Sequence, residues 1–382
     1  MEKLFKKIDD LNERYIRVWE DVCNLESPTS DKAGVDKVGA YFAKMAEERG
    51  FAIEYCRQDT AGDVVCITMN PDSDLPPVVV SGHIDTVHPV GRFGCPAVRR
   101  DAEKIYGPGV TDCKGGVVAA FYAMDALYEC GFQKRPVTLI LQTDEETGSR
   151  TSGGKTIGYI CERARGALVF LNMETHHPGE ATTSRKGIVS YRFDVQGKAG
   201  HASRCACEGA NAVADAAHKI IALDKLKDDD GITCNCAIIS GGTAVNTVPE
   251  NCTFSVNFRY ATQTQFDWIE EFVHTLAATE HIAGCKCTVH NLGCRPAMER
   301  TEANIQVLEK VNEIFTQYGL PTLKERRNRG GSDASNVTQC GIPCIDSLGT
   351  IGGGSHSVDE WAKLSSLAEA AKRVALIACC IV

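Results

Sequence analysis

Apolar positions recur at helical spacing over residues 2–22 and 31–49, and Gly50 offers a stop for the second stretch. Short β-prone runs follow: "FAIEYC" (51–56), "DVVCITM" (63–69) and "PVVVSGHIDTV" (77–87). A helical stretch, "KGGVVAAFYAMDALYECG", runs from 114 to 131 and ends at Gly131. "VTLILQT" (137–143) is apolar along its length, "GKTIGYICERA" (154–164) predicts a helix, and "ALVFLNME" (167–174) is another buried strand. Strands apolar on both faces, alternating with helices, predict a mostly parallel sheet sandwiched by helices.

The texture changes near residue 187. "GIVSYRFDVQG" alternates like a half-exposed antiparallel strand, and a helix follows at about 211–223. Then come the strands "TCNCAIISGG" and "TFSVNFRY", the helix "QFDWIEEFVHTLAAT" and the strand "CKCTVHNL". That β-α-β-β-α-β order is the split ferredoxin-like unit. Beyond about 296 the first texture resumes: a helix at 304–318, the Gly-rich turn "RGGSDAS", the strand "IPCIDSL", the loop "GTIGGGSHS" and a last helix. The expected layout is an α/β domain of residues 1–186 and 296–382, interrupted at 187–295 by a smaller α+β domain. A chain of 382 residues has the length for two cores.

Composition narrows the class. The chain is 43% hydrophobic and 24% charged, as soluble globular proteins are. Net charge is −9 with no Lys/Arg run, which argues against nucleic acid as a partner. No apolar stretch is long enough to span a bilayer, and the charged N-terminus lacks a signal-peptide core, so a cytoplasmic protein without membrane attachment is expected. The nineteen cysteines are then expected as thiols. The pairs Cys234/Cys236 and Cys285/Cys287 fall on strands, where positions i and i+2 share a face, and read as packing residues; Cys205/Cys207 has the same spacing.

Ligands of open α/β sheets gather at the carboxyl ends of the strands. The polar residues expected there are His83 and Asp85, Asp112 after the "IYGPGV" turn, Glu145 and Glu146 in "TDEETGS", Glu174, and His356. Singly, a histidine after a strand or an acidic turn is ordinarily structural or solvated. Together, two imidazoles and several carboxylates on one edge suit zinc or another divalent ion. Five protein ligands exceed what one catalytic ion takes and fit two ions sharing a carboxylate. One of the adjacent glutamates then binds metal and the other serves as general base, while Asp85 accepts the second ring N–H of His83. His88, His176 and His177 lie past the strand ends and are expected on the rim.

The motifs "SGHIDTVHP", "GPGVTDCKGG", "TDEETGS", "NME", "GKAGHAS", "NTVPE", "NFRY", "GGSDAS" and "GGGSHSVDEW" resemble, in this order, the two-zinc aminoacyl metallopeptidases, a family that includes bacterial glutamate carboxypeptidase, acetylornithine deacetylase, succinyl-diaminopimelate desuccinylase, aminoacylase and the tripeptidases. The resemblance spans about residue 20 to the last helix. It implies that Asp112 bridges two metals, that His83 and Glu174 complete one site and Glu146 and His356 the other, and that Glu145 is the general base with Asp85 orienting His83. It implies two Zn²⁺ ions, with Co²⁺ or Mn²⁺ as substitutes. The inserted domain resembles a lid and dimerisation domain of a homodimer. His201 and Asn246 resemble lid residues that reach the partner's active site, Arg259 the arginine that binds the substrate carboxylate, and Gly331 and Ser332 a loop touching substrate. Cys113 stands where relatives often carry Asn or Met, and a strained peptide bond is expected there.

The reaction implied is amide hydrolysis of a small peptide or N-acyl amino acid, closest to release of a C-terminal glutamate. A dipeptidase, a tripeptidase or an N-acyl-amino-acid deacylase with the same metal site is the alternative. A non-catalytic metal-binding relative would lack the base or a ligand, and here Glu145 and all five ligands are present.

Overall fold

A computed structural model describes residues 1–382. The chain forms two compact units: Met1–Thr183 with Arg300–Arg327 and Ser332–Val382, and Ser184–Glu299 with Asn328–Gly331.

The larger unit holds a six-stranded sheet in the order Ala52–Cys56, Val64–Met69, Val137–Gln142, Val78–His83, Val169–Asn172, Cys344–Ile345. The last four strands run parallel and the first two are antiparallel additions. The strands Val78–His83, Val137–Gln142 and Val169–Asn172 are buried at every residue, which is why they read as unbroken apolar runs. The helix Lys114–Glu129 is buried from Lys114 to Leu127. It packs on the sheet and against the helices Glu2–Asn24 and Ser365–Cys380, so it has no polar face. Two glycines allow its start to sit this deep. A Cβ on Gly115 would lie 2.2 Å from the Val110 carbonyl oxygen, and one on Gly116 2.0 Å from that of Met173. The buried Lys114 ammonium donates to the carbonyls of Val22 (3.2 Å) and Leu25 (2.9 Å), satisfying the end of the first helix.

Several elements escaped the periodicity. A four-stranded sheet of Gly352–Gly353, Trp361–Lys363, Lys104–Tyr106 and Arg99–Arg100 is built of strands two or three residues long. Such lengths carry no readable alternation. The strands Glu180–Arg185 and Lys324–Asn328 are polar. The run "IPCIDSL" supplies only the two-residue strand Cys344–Ile345, because Asp346 and Ser347 turn away to hydrogen-bond around Thr182 and Asn172.

The smaller unit has the β-α-β-β-α-β order. Its antiparallel sheet runs Thr233–Gly241, Asn251–Tyr260, Gly187–Gln196, Lys286–Arg295, with the helices Ala212–Asp224 and Gln263–Ala278 packed against it. Along Gly187–Gln196 buried and less buried residues alternate, and Phe193 stacks on Phe254 at 4.7 Å inside. Cys234 and Cys285 lie in this core with Cys236 and Cys287 packed against it, whereas Cys205 and Cys207 are exposed. No helix is long and apolar enough to cross a membrane.

Candidate metal centre

His83 is the last residue of its strand and is buried. Its Nδ1 lies 3.0 Å from the Asp85 carbonyl oxygen and 3.4 Å from the Asp85 carboxylate. Both are acceptors, so Nδ1 carries the proton and the Nε2 lone pair faces outward. Nε2 meets Asp112 Oδ1 at 3.2 Å and Glu174 Oε1 at 3.8 Å. Asp112 comes from the turn before the helix Lys114–Glu129, and Glu174 follows the strand Val169–Asn172. The Asp112–Cys113 peptide bond is cis.

The other carboxylate oxygen of Asp112 faces a second imidazole. Oδ2 lies 3.5 Å from His356 Nε2, which is 3.1 Å from Glu146 Oε2. His356 has φ +64°, a left-handed backbone that a residue with a Cβ seldom adopts, here at a loop tip. The structure thus brings together all five residues read as ligands, in two groups that meet at Asp112.

The acidic triplet divides its work. Asp144 is buried and turned inward, its carboxylate accepting from Thr156 Oγ1 (2.6 Å) and the Ser152 amide (2.8 Å). Glu145 and Glu146 begin a 3₁₀ turn whose amides both donate to the Asp85 carboxylate at 3.2 Å. Thr29 Oγ1 donates to the same carboxylate at 2.7 Å. From sequence, Asp85 is expected to serve His83 alone. In the fold its carboxylate also mounts the two glutamates.

The charges fit divalent cations. Burial, and then the facing Asp112 carboxylate, push the Glu174 carboxyl well above its ordinary range. Burial raises Glu146 as well. The hydrogen bond to Glu146 pushes the His356 imidazole up to about 9. Carboxyls crowded this way are relieved by positive charge among them, and imidazole plus carboxylate is a zinc-type donor set. The ligand atoms of His83, Asp112 and Glu146 lie within 4.8 Å of one another, as do those of His83, Cys113 and Glu174. Cys113, the residue after Asp112, thus brings its thiol to the same group. Its buried thiol is held well above its ordinary pKa by burial, and it donates to the Met173 carbonyl at 3.1 Å.

His88 and His176 depart from expectation. Both are buried, not on a rim. His88 Nε2 meets Glu360 at 3.3 Å, and His176 Nδ1 meets the Ser347 carbonyl at 2.7 Å. Ser332 is also buried, its hydroxyl donating to Asp346 at 2.6 Å. His201, Asn246, Arg259 and Gly331 belong to the smaller unit. There His201 is exposed, and its Nδ1 accepts from the Ser203 amide at 3.2 Å, which puts the ring proton on Nε2. The Asn246 carbonyl accepts from the Ala202 amide at 3.0 Å, so the segments carrying His201 and Asn246 lie side by side. Arg259 is half-buried, bonded to Asn257 Oδ1 (3.2 Å) and the Arg329 carbonyl (3.4 Å), and pairs with no carboxylate. Burial lowers its pKa from the ordinary value.

Residues 79–379 match the sequence profile of peptidase family M20/M25/M40. The chain belongs to this family. Carboxypeptidase G2 of Pseudomonas sp. (strain RS-16) is 27% identical over 361 residues, covering 93% of this chain and 86% of that protein. Succinyl-diaminopimelate desuccinylase of Delftia acidovorans (strain DSM 14801 / SPH-1) is 25% identical over 372 residues, 91% of this chain and 92% of its own. The crystal structure of aminopeptidase PepT from Bacillus cereus ATCC 10987 has the same fold, with a TM-score of 0.79 at 20% identity over 96% of this chain and 98% of that one. Membership in the M20/M25/M40 family makes the chain a metal-dependent hydrolase acting on amide bonds.

Proposed function

We propose that the protein is a two-metal carboxypeptidase-like amidohydrolase that releases a C-terminal amino acid, with glutamate as the favoured leaving group. The observation that carries the two-metal reading is Asp112. Its two oxygens face different imidazoles, and each imidazole faces a further carboxylate, Glu174 or Glu146. His83, Asp112 and Glu174 would hold one divalent ion and Glu146, Asp112 and His356 the other, zinc being the first choice of this donor set and Co²⁺ or Mn²⁺ substitutes. Ions bound there supply Lewis acidity and lower the pKa of water.

The chain's own residues carry the remaining steps. Glu145, buried beside Glu146, accepts a proton from the attacking water and delivers it to the departing amine nitrogen. His201 presents Nε2–H to the carbonyl oxygen as negative charge develops. The Arg259 guanidinium, unpaired with any acid, grips the carboxylate of the leaving amino acid. Asn246 and Gly331 complete the substrate contacts, while Ser332, buried against Asp346, braces the loop beside Gly331. The smaller unit is the lid and dimerisation domain, and the chain works as a homodimer in the cytoplasm. The glutamate preference is supported by the likeness to carboxypeptidase G2. The likeness to the desuccinylase favours, as the second reading, hydrolysis of an N-acyl amino acid.

Two measurements test this. Glu145→Gln lowers turnover by roughly 10²–10⁴-fold with metal content unchanged; near-wild-type turnover sinks the general-base assignment. Free amino acid release is then followed on N-acyl-glutamates, Xaa-Glu and neutral dipeptides, a tripeptide and N-acetyl-ornithine. Fastest chelator-sensitive release of C-terminal glutamate is the expected result. Activity confined to the tripeptide or N-acetyl-ornithine overturns the substrate assignment.

A further inference from the structure

Glu360 has no part in the chemistry above, yet its carboxylate is among the most enclosed acids in the chain, at 1% exposure. Four donors surround it. One oxygen accepts from the backbone amides of Thr111 (3.0 Å) and Asp112 (3.1 Å). The other accepts from the amide of Gly109 (3.1 Å) and faces His88 Nε2 at 3.3 Å. The Glu360 carbonyl in turn accepts from the Gly107 amide at 3.3 Å.

These contacts join two loops that carry metal-centre residues. Residues 107–112 end in Asp112. Glu360 sits four residues after His356, in a tight turn closed by the bonds Ser357 N to Gly354 O (3.0 Å) and Glu360 N to Ser357 O (3.3 Å). The next residue enters the strand Trp361–Lys363, which pairs with Lys104–Tyr106 and so returns to the Asp112 loop. His88 adds the segment that follows His83 and Asp85. Packing alone needs no carboxylate at such a place, since an apolar side chain fills space without desolvating a charge. A carboxylate with both oxygens filled by amides fixes the peptide planes themselves.

We propose that Glu360 is a positioning residue for the metal centre: it sets the Asp112 carboxylate between His83 and His356 by clamping the backbone that carries Asp112 to the loop that carries His356. The inference rests on the reading of these three residues as metal ligands.

The variants Glu360→Gln and Glu360→Ala separate this role from simple anchoring of the fold. In Gln one oxygen becomes an NH₂ group. Facing His88, that group finds an acceptor if the imidazole changes tautomer, and only the Gly109 amide is orphaned; the bonds to Thr111 and Asp112 survive. Ala loses all four. Zinc affinity is measured by competition with a chromophoric chelator, and the melting temperature is taken on metal-free protein. Loss of a group that orients a ligand typically weakens metal binding by about 10–100-fold. The expected result is that range for Glu360→Ala in the weaker of two zinc sites, a smaller loss for Glu360→Gln, and a fall in kcat at unchanged KM for both. Wild-type affinity at both sites in a folded Glu360→Ala protein overturns the proposal. If that variant does not fold, Glu360→Gln decides, and a lowered metal-free melting temperature with unaltered zinc affinity reduces Glu360 to a fold anchor. Failure of the wild-type chain to bind two zinc ions removes the metal-centre reading itself, and this inference with it.

Discussion

Replacing Asp85 with Asn probes how the paired glutamates are mounted. The Asp85 carboxylate is fully buried and meets only donors: the amides of Glu145 and Glu146, Thr29 Oγ1 and His83 Nδ1. Asn keeps the shape but offers one accepting oxygen. Either rotation of its amide sets NH₂ against a backbone N–H. The less costly one turns NH₂ toward Thr29, whose hydroxyl can rotate to accept, and leaves the Glu146 amide without a partner. An orphaned buried N–H costs about 1–3 kcal/mol, and the surviving bonds lose the carboxylate charge that roughly doubles their strength. Together these come to about 2–4 kcal/mol of local stability. At tenfold per 1.4 kcal/mol, amide hydrogen exchange in the turn speeds up by roughly 30- to 700-fold. The assay is exchange at Glu145 and Glu146, followed by NMR on metal-free protein so that ligand loss does not enter. Glu146 should show the larger change, and kcat of the zinc-loaded variant should fall. Exchange within threefold of wild type at both amides would refute the argument that Asp85 holds this turn.

Two further outcomes follow from the smaller unit. Arg259→Lys should raise KM for a substrate with a free C-terminal carboxylate by roughly 10–100-fold, the worth of a lost charged hydrogen bond, and leave a C-terminally amidated analogue unaffected; an equal loss on both substrates removes Arg259 from carboxylate recognition. Asp215 is buried with Lys219 at 2.9 Å and accepts the amides of His281 and Ile282. Asp215→Ala strands the buried ammonium and should cost about 3–5 kcal/mol in denaturant unfolding of this unit. Burial pushes the Asp215 carboxyl up, but Lys219 and the two amides outweigh it and hold the folded pKa below its ordinary value of 3.8. The stabilisation is therefore complete above that value and disappears as pH falls through the folded pKa. The variant's unfolding free energy should lack this acid-side fall, and an unchanged fall would assign it to other groups.

The chain itself carries the elements and the chemistry of the centre. Buried strands such as Val78–His83 and Val137–Gln142 announce themselves because burial on both faces demands apolar residues throughout, and the alternation of Gly187–Gln196 marks a sheet with one covered face. The residues read as ligands are equally legible as a set, since ligands of open α/β sheets bind at the carboxyl ends of the strands and these imidazoles and carboxylates recur at successive ends. What the order of residues cannot state is which donor meets which acceptor. The two-sided exposure of Asp112 to His83 and His356 and the use of Asp85 to hold the Glu145–Glu146 turn depend on residues 29 to 244 positions apart being brought within reach, and the inward rotation of Asp144 on a partner only 12 residues on. The burial of His88 and the clamp made by Glu360 are of the same kind. In sequence, each is a polar residue in a loop. Tertiary structure alone removes the surrounding water, and with it the alternative partners that would have left those side chains free.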